Sequence, residues 1–301
     1  MTTRGPVPPR PGQGFFSPLR YPGGKGRMAP FLANLMRAQT PRPTVYAEPF
    51  AGGAGAALRL LVDSDVQEIR INDLDPGIAA FWRSVFFDTD RFARKITDCK
   101  VTMTAWRRHR AVYLSPEGRT DLELGFAAFF LNRCNRSGII GARPIGGIDQ
   151  SGQWKLDARF NAVELAKRVR YLGAFRDRVR VTQLDARVFL NQIADDPDPV
   201  LVYVDPPYIV QGDQLYLDKL SYADHRDLAL QLRASQFRWL LTYDCDGRIT
   251  DELYPDLRCA SFNIAHTAQV QHIGREYAVF SDNLVVNDMG ILPRETAQWV
   301  V

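Results

Sequence analysis

The chain has 301 residues, 46% hydrophobic and 24% charged, with a net charge of +4. This is the make-up of an ordinary globular protein, long enough for one large α/β domain and a smaller inserted one. No run of 18 apolar residues is present, which excludes a membrane-spanning helix, and the opening MTTRGPVPPRPGQGFF has no apolar core of a secretory signal.

The Pro, Gly and Arg content of that opening predicts a disordered leader over residues 1–18. Apolar spacing from Met28 through Phe31, Leu32, Leu35 and Met36 predicts a helix to Arg37, stopped by the Pro41–Pro43 region. Thr44–Glu48 reads as a short strand. It runs into the glycine turn Phe50-Ala51-Gly52-Gly53-Ala54-Gly55 and then a helix through Val62. Glu68–Asn72 is a second strand, ending in Asp73-Leu74-Asp75-Pro76. Strand, glycine turn, helix, strand and acid together make one βαβ unit.

From Gly77 to about Phe160 the pattern becomes helical and irregular. Phe81–Phe87 and Leu122–Asn132 are its clearest helices, and Gly138–Gly152 is a long loop. Asn161 suits the N-cap of a helix through Phe175. Apolar strand runs return at Val179–Leu184, Val200–Val204, Trp239–Tyr243 and Tyr277–Val286. The expected architecture is a doubly wound, mostly parallel sheet interrupted after its second strand by a helical insertion. Its parts are 19–76 with 160–301, and 77–159.

Charge follows the same division. Between Gly77 and Arg180 stand 20 Lys or Arg against 10 Asp or Glu, so the rest of the chain carries −6. A basic middle suits a polyanionic partner, although a solvated basic surface reads equally well. Cys99, Cys134, Cys245 and Cys259 form no CxxC pair, so neither a zinc site nor a disulfide framework is expected, and a reducing cytoplasm is.

The glycine turn lets a ligand approach the backbone, and the helix start behind it favours negative charge. Asp73, 20 residues after Gly53, has the spacing of an acid that binds ribose hydroxyls. A dinucleotide competes with a simpler nucleoside, but Leu58 stands where the third glycine of G-x-G-x-x-G would be. A purely structural turn also remains open. Upstream, in Tyr21-Pro22-Gly23-Gly24-Lys25-Gly26, Lys25 could reach a carboxylate and Tyr21 cover a ring, or the segment is an exposed turn.

The strand Val200–Val204 runs into Asp205-Pro206-Pro207-Tyr208. Neither proline has an N–H to donate, so the strand must stop there, and Asp205 and the Pro206 carbonyl are held at the sheet's carboxyl edge. Ligands bind at that edge in open α/β folds. Two rigid acceptors and an aromatic ring suit one task. The adenine N6 lone pair is delocalised into its ring. Accepting both N6–H bonds would turn the nitrogen tetrahedral, while Tyr208 stacks on the base and holds it in line with a methyl donor. An ordinary strand-ending turn is the bland alternative. No His or Cys cluster suggests a metal.

In this order Pro-Gly-Gly-Lys (22–25), Glu-Pro-Phe-Ala-Gly-Gly-Ala-Gly (48–55), Asn-Asp-Leu-Asp (72–75) and Asp-Pro-Pro-Tyr (205–208) resemble the Dam-like, D12 class adenine-N6 DNA methyltransferases. Asn132-Arg133-Cys134-Asn135-Arg136-Ser137-Gly138-Ile139 and Arg159-Phe160-Asn161 are similar to that family's pattern as well. The resemblance spans about Leu19 to Val286. It implies a Rossmann-like, class I S-adenosylmethionine-dependent methyltransferase with a mainly helical target-recognition insertion. It further implies double-stranded DNA as substrate and a prokaryotic or phage source acting in the cytoplasm, and it admits a cognate restriction endonuclease as partner.

Carried over, it assigns Asp205, Pro206, Pro207 and Tyr208 to catalysis. Tyr21, Lys25, Phe50, Gly52, Gly53, Gly55, Asp73, Asp185 and Asp205 are assigned to the donor, with Asp185 at its adenine. Arg133, Asn135, Arg136, Ser137 and Arg143 are assigned to DNA, each arginine having an internal ion pair as its alternative. The loop Gly141-Ala142-Arg143-Pro144 departs from the family's usual small residues and bears on the recognised sequence. RNA, cytosine N4 or a protein amide as acceptor, and a non-catalytic DNA-binding subunit, are the competing readings.

Overall fold

The computed structural model describes residues 16–20, 25–209, 220–266, 272–293 and 296–300. In chain order the elements are α1 (Ala29–Arg37), β1 (Val45–Glu48), α2 (Gly55–Val62), β2 (Glu68–Asn72), α3 (Pro76–Phe87), α4 (Thr89–Asp98), α5 (Met103–Leu114), α6 (Asp121–Cys134) and α7 (Ala162–Gly173). There follow β3 (Val179–Thr182), α8 (Ala186–Ala194), β4 (Val200–Val204), α9 (Tyr222–Ala234), β5 (Arg238–Asp244), β6 (Cys259–His266), β7 (His272–Phe280) and β8 (Gln298–Trp299). They fall into two compact units, Pro22–Asp75 with Thr182–Val301, and Met1–Tyr21 with Pro76–Val181. No helix among the described residues is long and apolar enough to cross a membrane.

The eight strands form one sheet in the order β3-β2-β1-β4-β5-β7-β6-β8. β1 is parallel to β2 and to β4, and β4 to β5, with Val45 opposite both Glu68 and Val200, and Val204 opposite Leu241. From β7 outward the pairing is antiparallel, with Asp244 of β5 opposite Glu276 of β7. The fold is thus the expected doubly wound α/β sheet, parallel at its centre. All residues of β1 and β4 are buried, which is why they read as unbroken apolar runs. Against them pack Phe189, Leu190 and Ile193 of α8 and Leu228 and Leu232 of α9, all buried. Each such side chain contributes roughly 1.5–3 kcal/mol of burial free energy.

Two of the expected strands are displaced by more than one residue. The strand expected over Val179–Leu184 ends at Thr182, because the Leu184 N–H turns to Asn72 Oδ1. The strand expected over Tyr277–Val286 runs instead over His272–Phe280. A turn closed by Leu284 N to Ser281 O breaks the apolar run, and Val285 pairs with the Gln39 side chain. β6, in which buried Ala260, Phe262 and Ile264 alternate with Ser261 and Asn263, was not among the expected strands.

The helical unit is an aromatic bundle. α3 starts at Pro76, earlier than its apolar run suggests, and its first buried residues include Gly77 and Ile78. A Cβ on Gly125 of α6 would lie 2.5 Å from the Phe81 backbone nitrogen, so only glycine lets α6 approach α3 this closely. Phe81, Phe92, Phe126 and Phe129 then meet at centroid spacings of 5.6–5.9 Å. Asn161 caps α7 through Glu164 N. By their contacts residues 160–181 group with this unit rather than with the catalytic part expected over 160–301, although Val179–Thr182 still forms β3 at the edge of the sheet. Part of the segment expected as a leader is packed. Phe16–Pro18 are buried, with Phe16 stacked on Tyr171, and residues 1–15 lie outside the described ones.

Candidate active site

Parallel strands bring their carboxyl ends to one edge, and the polar residues of the larger unit collect there. Lys25 opens a short 3-10 turn before α1. Gly26 and Gly55 set its place, since a Cβ on Gly55 would stand 3.1 Å from the Gly26 nitrogen, so that turn lies directly on the start of α2. The Lys25 ammonium, 8% exposed, donates to Glu276 Oε2 at 2.6 Å and to the Tyr208 hydroxyl at 3.2 Å, and stands 3.4 Å from Asp205 Oδ1. Tyr208 Oη donates to the other oxygen of Glu276, which is fully buried. Thr242 Oγ1 donates to Asp205 Oδ1 at 2.8 Å and shares a 2.8 Å hydrogen bond with Tyr203 Oη. Two carboxylates thus share one ammonium, and the tyrosine of Asp-Pro-Pro-Tyr is fixed at its hydroxyl end.

The electrostatics follow. Burial alone would lower the Lys25 pKa, but Asp205 and Glu276 raise it above the ordinary lysine value, so the ammonium is permanent. Burial raises Asp205, and the charge of Glu276 raises it further, while Lys25 and the Thr242 hydroxyl hold the rise in check. On β1, burial pushes Glu48 up to about 8. Its Oε1 accepts from Tyr46 Oη at 3.0 Å and from Ala57 N at 3.2 Å, which ties β1 to the start of α2.

A second group lies at the ends of β1 and β2. Gly52 (φ 46°) and Ala54 (φ 47°) adopt left-handed backbone in the turn. The Gly52 N–H donates to Asp73 Oδ2 at 2.8 Å and Asp75 N to Oδ1 at 3.0 Å, so the Asp73 carboxylate is held by backbone on both oxygens. Asn72 reaches Pro49 O, Leu184 O and Leu184 N, joining this turn to the loop after β3. There a small cleft is lined by Phe50, Leu74, Leu184, Asp185, Leu220 and Leu228, among others. Asp185 caps α8 at Arg187 N and takes the Arg187 guanidinium on both oxygens.

A family model described as D12 class N6 adenine-specific DNA methyltransferase matches residues 21–273. The chain belongs to that family. It is accordingly an enzyme that methylates adenine N6 in DNA. No curated protein matches it. Among solved structures, the rRNA methyltransferase AviRa from Streptomyces viridochromogenes is similar at 14% identity and a TM-score of 0.33, over 93% of this chain and 90% of that one.

For this methyltransferase the structure brings Lys25, Asp205 and Tyr208 together, and sets Phe50, Gly52, Asp73 and Asp185 around the second group. Tyr21 lies outside the described residues. Two residues expected at DNA face inward instead. Asn135 is fully buried: its Oδ1 accepts from Trp106 Nε1 at 2.7 Å and its Nδ2 donates to Ile140 O at 2.7 Å. Arg133 spends its guanidinium on the carbonyls of Arg159 and Pro18. Both brace the loop after α6. Arg136 and Arg143 are exposed on that loop, linked by Arg136 N to Arg143 O at 3.0 Å, and Ser137 holds a left-handed backbone between them (φ 56°). Glu276 and Thr242 were not legible as site residues, because only sheet register carries them to the cluster. Among the described residues no group of three or more His, Cys, Asp or Glu could hold a metal ion.

Proposed function

We propose that the enzyme takes its methyl group from S-adenosylmethionine and delivers it to an adenine swung out of the DNA helix. The observation that carries this reading is the cluster of Lys25, Asp205, Tyr208 and Glu276 at the strand ends. The cleft beside it suits the donor chemically. Phe50, Leu74 and Leu184 offer apolar surface for a purine, Asp185 an acceptor for its amine, and Asp73 a backbone-held carboxylate for ribose hydroxyls. S-adenosylmethionine supplies a methyl group made electrophilic by a positively charged sulfur.

The chain's own residues do the rest. Asp205 and the Pro206 carbonyl accept the two N6–H bonds, and the prolines keep both acceptors rigid. Lys25 and Thr242 favour the ionised form of Asp205 that this requires. Tyr208, pinned at its hydroxyl by Lys25 and Glu276, presents a ring that cannot swing away, so orientation supplies much of the rate. As N6 gains the methyl group it loses a proton, which Asp205 is placed to take. N6 is inaccessible inside the stack, so the base must leave it, at a cost of a few kcal/mol. The basic helical unit, taken as the target-recognition domain, offsets that cost through phosphate contacts. Within it Arg136 and Arg143 are the expected contacts.

Asp205→Ala tests the reading. Tritiated methyl transfer to duplex DNA should vanish, while DNA affinity stays within a few-fold of the parent. Turnover that survives the substitution would refute N6 activation by this pair. Running RNA and protein beside DNA as acceptors would expose a different substrate.

A further inference from the structure

The helical unit holds a second feature that the methyl-transfer site does not use. α4, the turn after it and the start of α5 enclose an open cleft of about 630 Å³, floored by Leu122 and Phe126 of α6. Arg91, Arg94, Lys95, Lys100 and Arg108 line it, against Asp98 as the lining acid. Arg91 is paired with Asp88 at 3.1 Å, and Glu123 nearby is engaged in the Thr120 capping box. Arg94, Lys100 and Arg108 are exposed and make no ion pair within the described chain. The start of α5, capped by Thr102, also lines the cleft and adds the positive end of a 12-residue helix. The cations crowd one another: burial lowers the Lys95 pKa, and Arg108 and Arg91 lower it further despite Glu123. Bound negative charge would relieve that repulsion.

We infer that this cleft is a docking site for phosphates of the DNA backbone, separate from the Arg136–Arg143 loop. This inference rests on the reading of the chain as a DNA methyltransferase. Three features favour phosphate over a base or a nucleoside. Phe126 is 1% exposed, and the Lys95 ammonium lies 5.1 Å from its ring centroid, so no aromatic face is offered for stacking. Arg91 and Arg94 with Lys95 stand on successive turns of α4, about 5 Å apart along its axis, a row suited to consecutive phosphates. Five of the lining side chains are cations and one, Asp98, is an acid, the charge balance that backbone phosphates neutralise. Contacts of this kind are indifferent to sequence.

The test is the triple variant Arg94→Ala, Lys100→Ala, Arg108→Ala, which leaves Lys95 on Phe126 and the buried packing intact. Affinity for a site-containing duplex and for a random duplex is measured from 50 to 200 mM salt. Each lost phosphate contact should lower the slope of log affinity against log salt by about 0.9, and both duplexes should weaken alike. Methyl transfer at saturating DNA should remain within two-fold of the parent. An unchanged slope would overturn the proposal, as would a loss confined to the specific duplex. Inorganic pyrophosphate, titrated calorimetrically into parent and variant, separates sources. Pyrophosphate binding that the variant loses, with no change in the DNA slope, would mark a free-anion site and equally overturn it. If the parent transfers no methyl group to DNA, the underlying reading fails instead.

Discussion

Replacing Lys25 by Met keeps the side chain's length and removes its charge. The ammonium stands 2.6 Å from Glu276 and 3.4 Å from Asp205. At an effective dielectric near 20 those separations correspond to Coulomb attractions of about 6 and 5 kcal/mol, before the opposing cost of burying the ions. Without the cation, two carboxylates remain in one buried cluster and cannot both stay ionised easily. Burial and the charge of Glu276 already raise Asp205. The other groups facing it, Tyr203 on β4, Tyr46 and Glu48 on β1 and Thr242 and Tyr243 on β5, include no second cation. Loss of a neighbouring opposite charge ordinarily raises an aspartate by about 1–3 pH units. Asp205 acts ionised, so activity lies above its pKa, and raising that pKa moves the acid limb of kcat to higher pH by about the same amount. Transfer should therefore lose more at the acidic end of the profile than at the alkaline end. The assay is the pH profile of kcat at saturating donor and duplex. A folded variant whose acid limb coincides with the parent's would refute the assignment of Lys25 as the charge that holds Asp205 ionised.

Glu276→Gln should move the same limb the opposite way, because the charge that raises Asp205 is gone; kcat should fall as Tyr208 loosens, and a shift to higher pH would contradict the network. Glu48 is raised from its ordinary 4.5 to about 8 in the folded chain. Its contribution is therefore complete below about pH 4.5 and is lost as pH rises through about 8. Glu48→Gln should gain on the parent in thermal melts by up to roughly 1.4 kcal/mol per pH unit across that window, and a gap that stays constant with pH would rule this out. Asn135→Ala should destabilise the chain by about 1–3 kcal/mol, since Trp106 Nε1 and Ile140 O lose their partner, and should leave the salt dependence of DNA binding as it was. Arg136→Ala and Arg143→Ala should instead each lower that dependence by about 0.9 in slope without a change in melting temperature.

Local sequence decided the parts that depend on neighbouring residues. The glycine turn after β1, the acid after β2 and the double proline after β4 are all short-range features, because backbone sterics and a missing N–H act within a few residues. A helical insertion was legible from its period and its charge. What the sequence could not determine is which distant side chains close the site. Glu276 lies 251 residues from Lys25 and reaches it only because antiparallel β7 sets it opposite Asp244. Nor did the motif around Asn132–Ile139 distinguish an arginine offered to solvent from one spent on a carbonyl. In one stretch Arg133 bonds inward to carbonyls and Arg136 is exposed, since α6 ends at Cys134 and the extended Asn135 between them leads the chain out of the helix. Side-chain direction at such a helix end, and register across an antiparallel pair, are set by packing among segments far apart in the chain, and that packing exists only once the whole has folded.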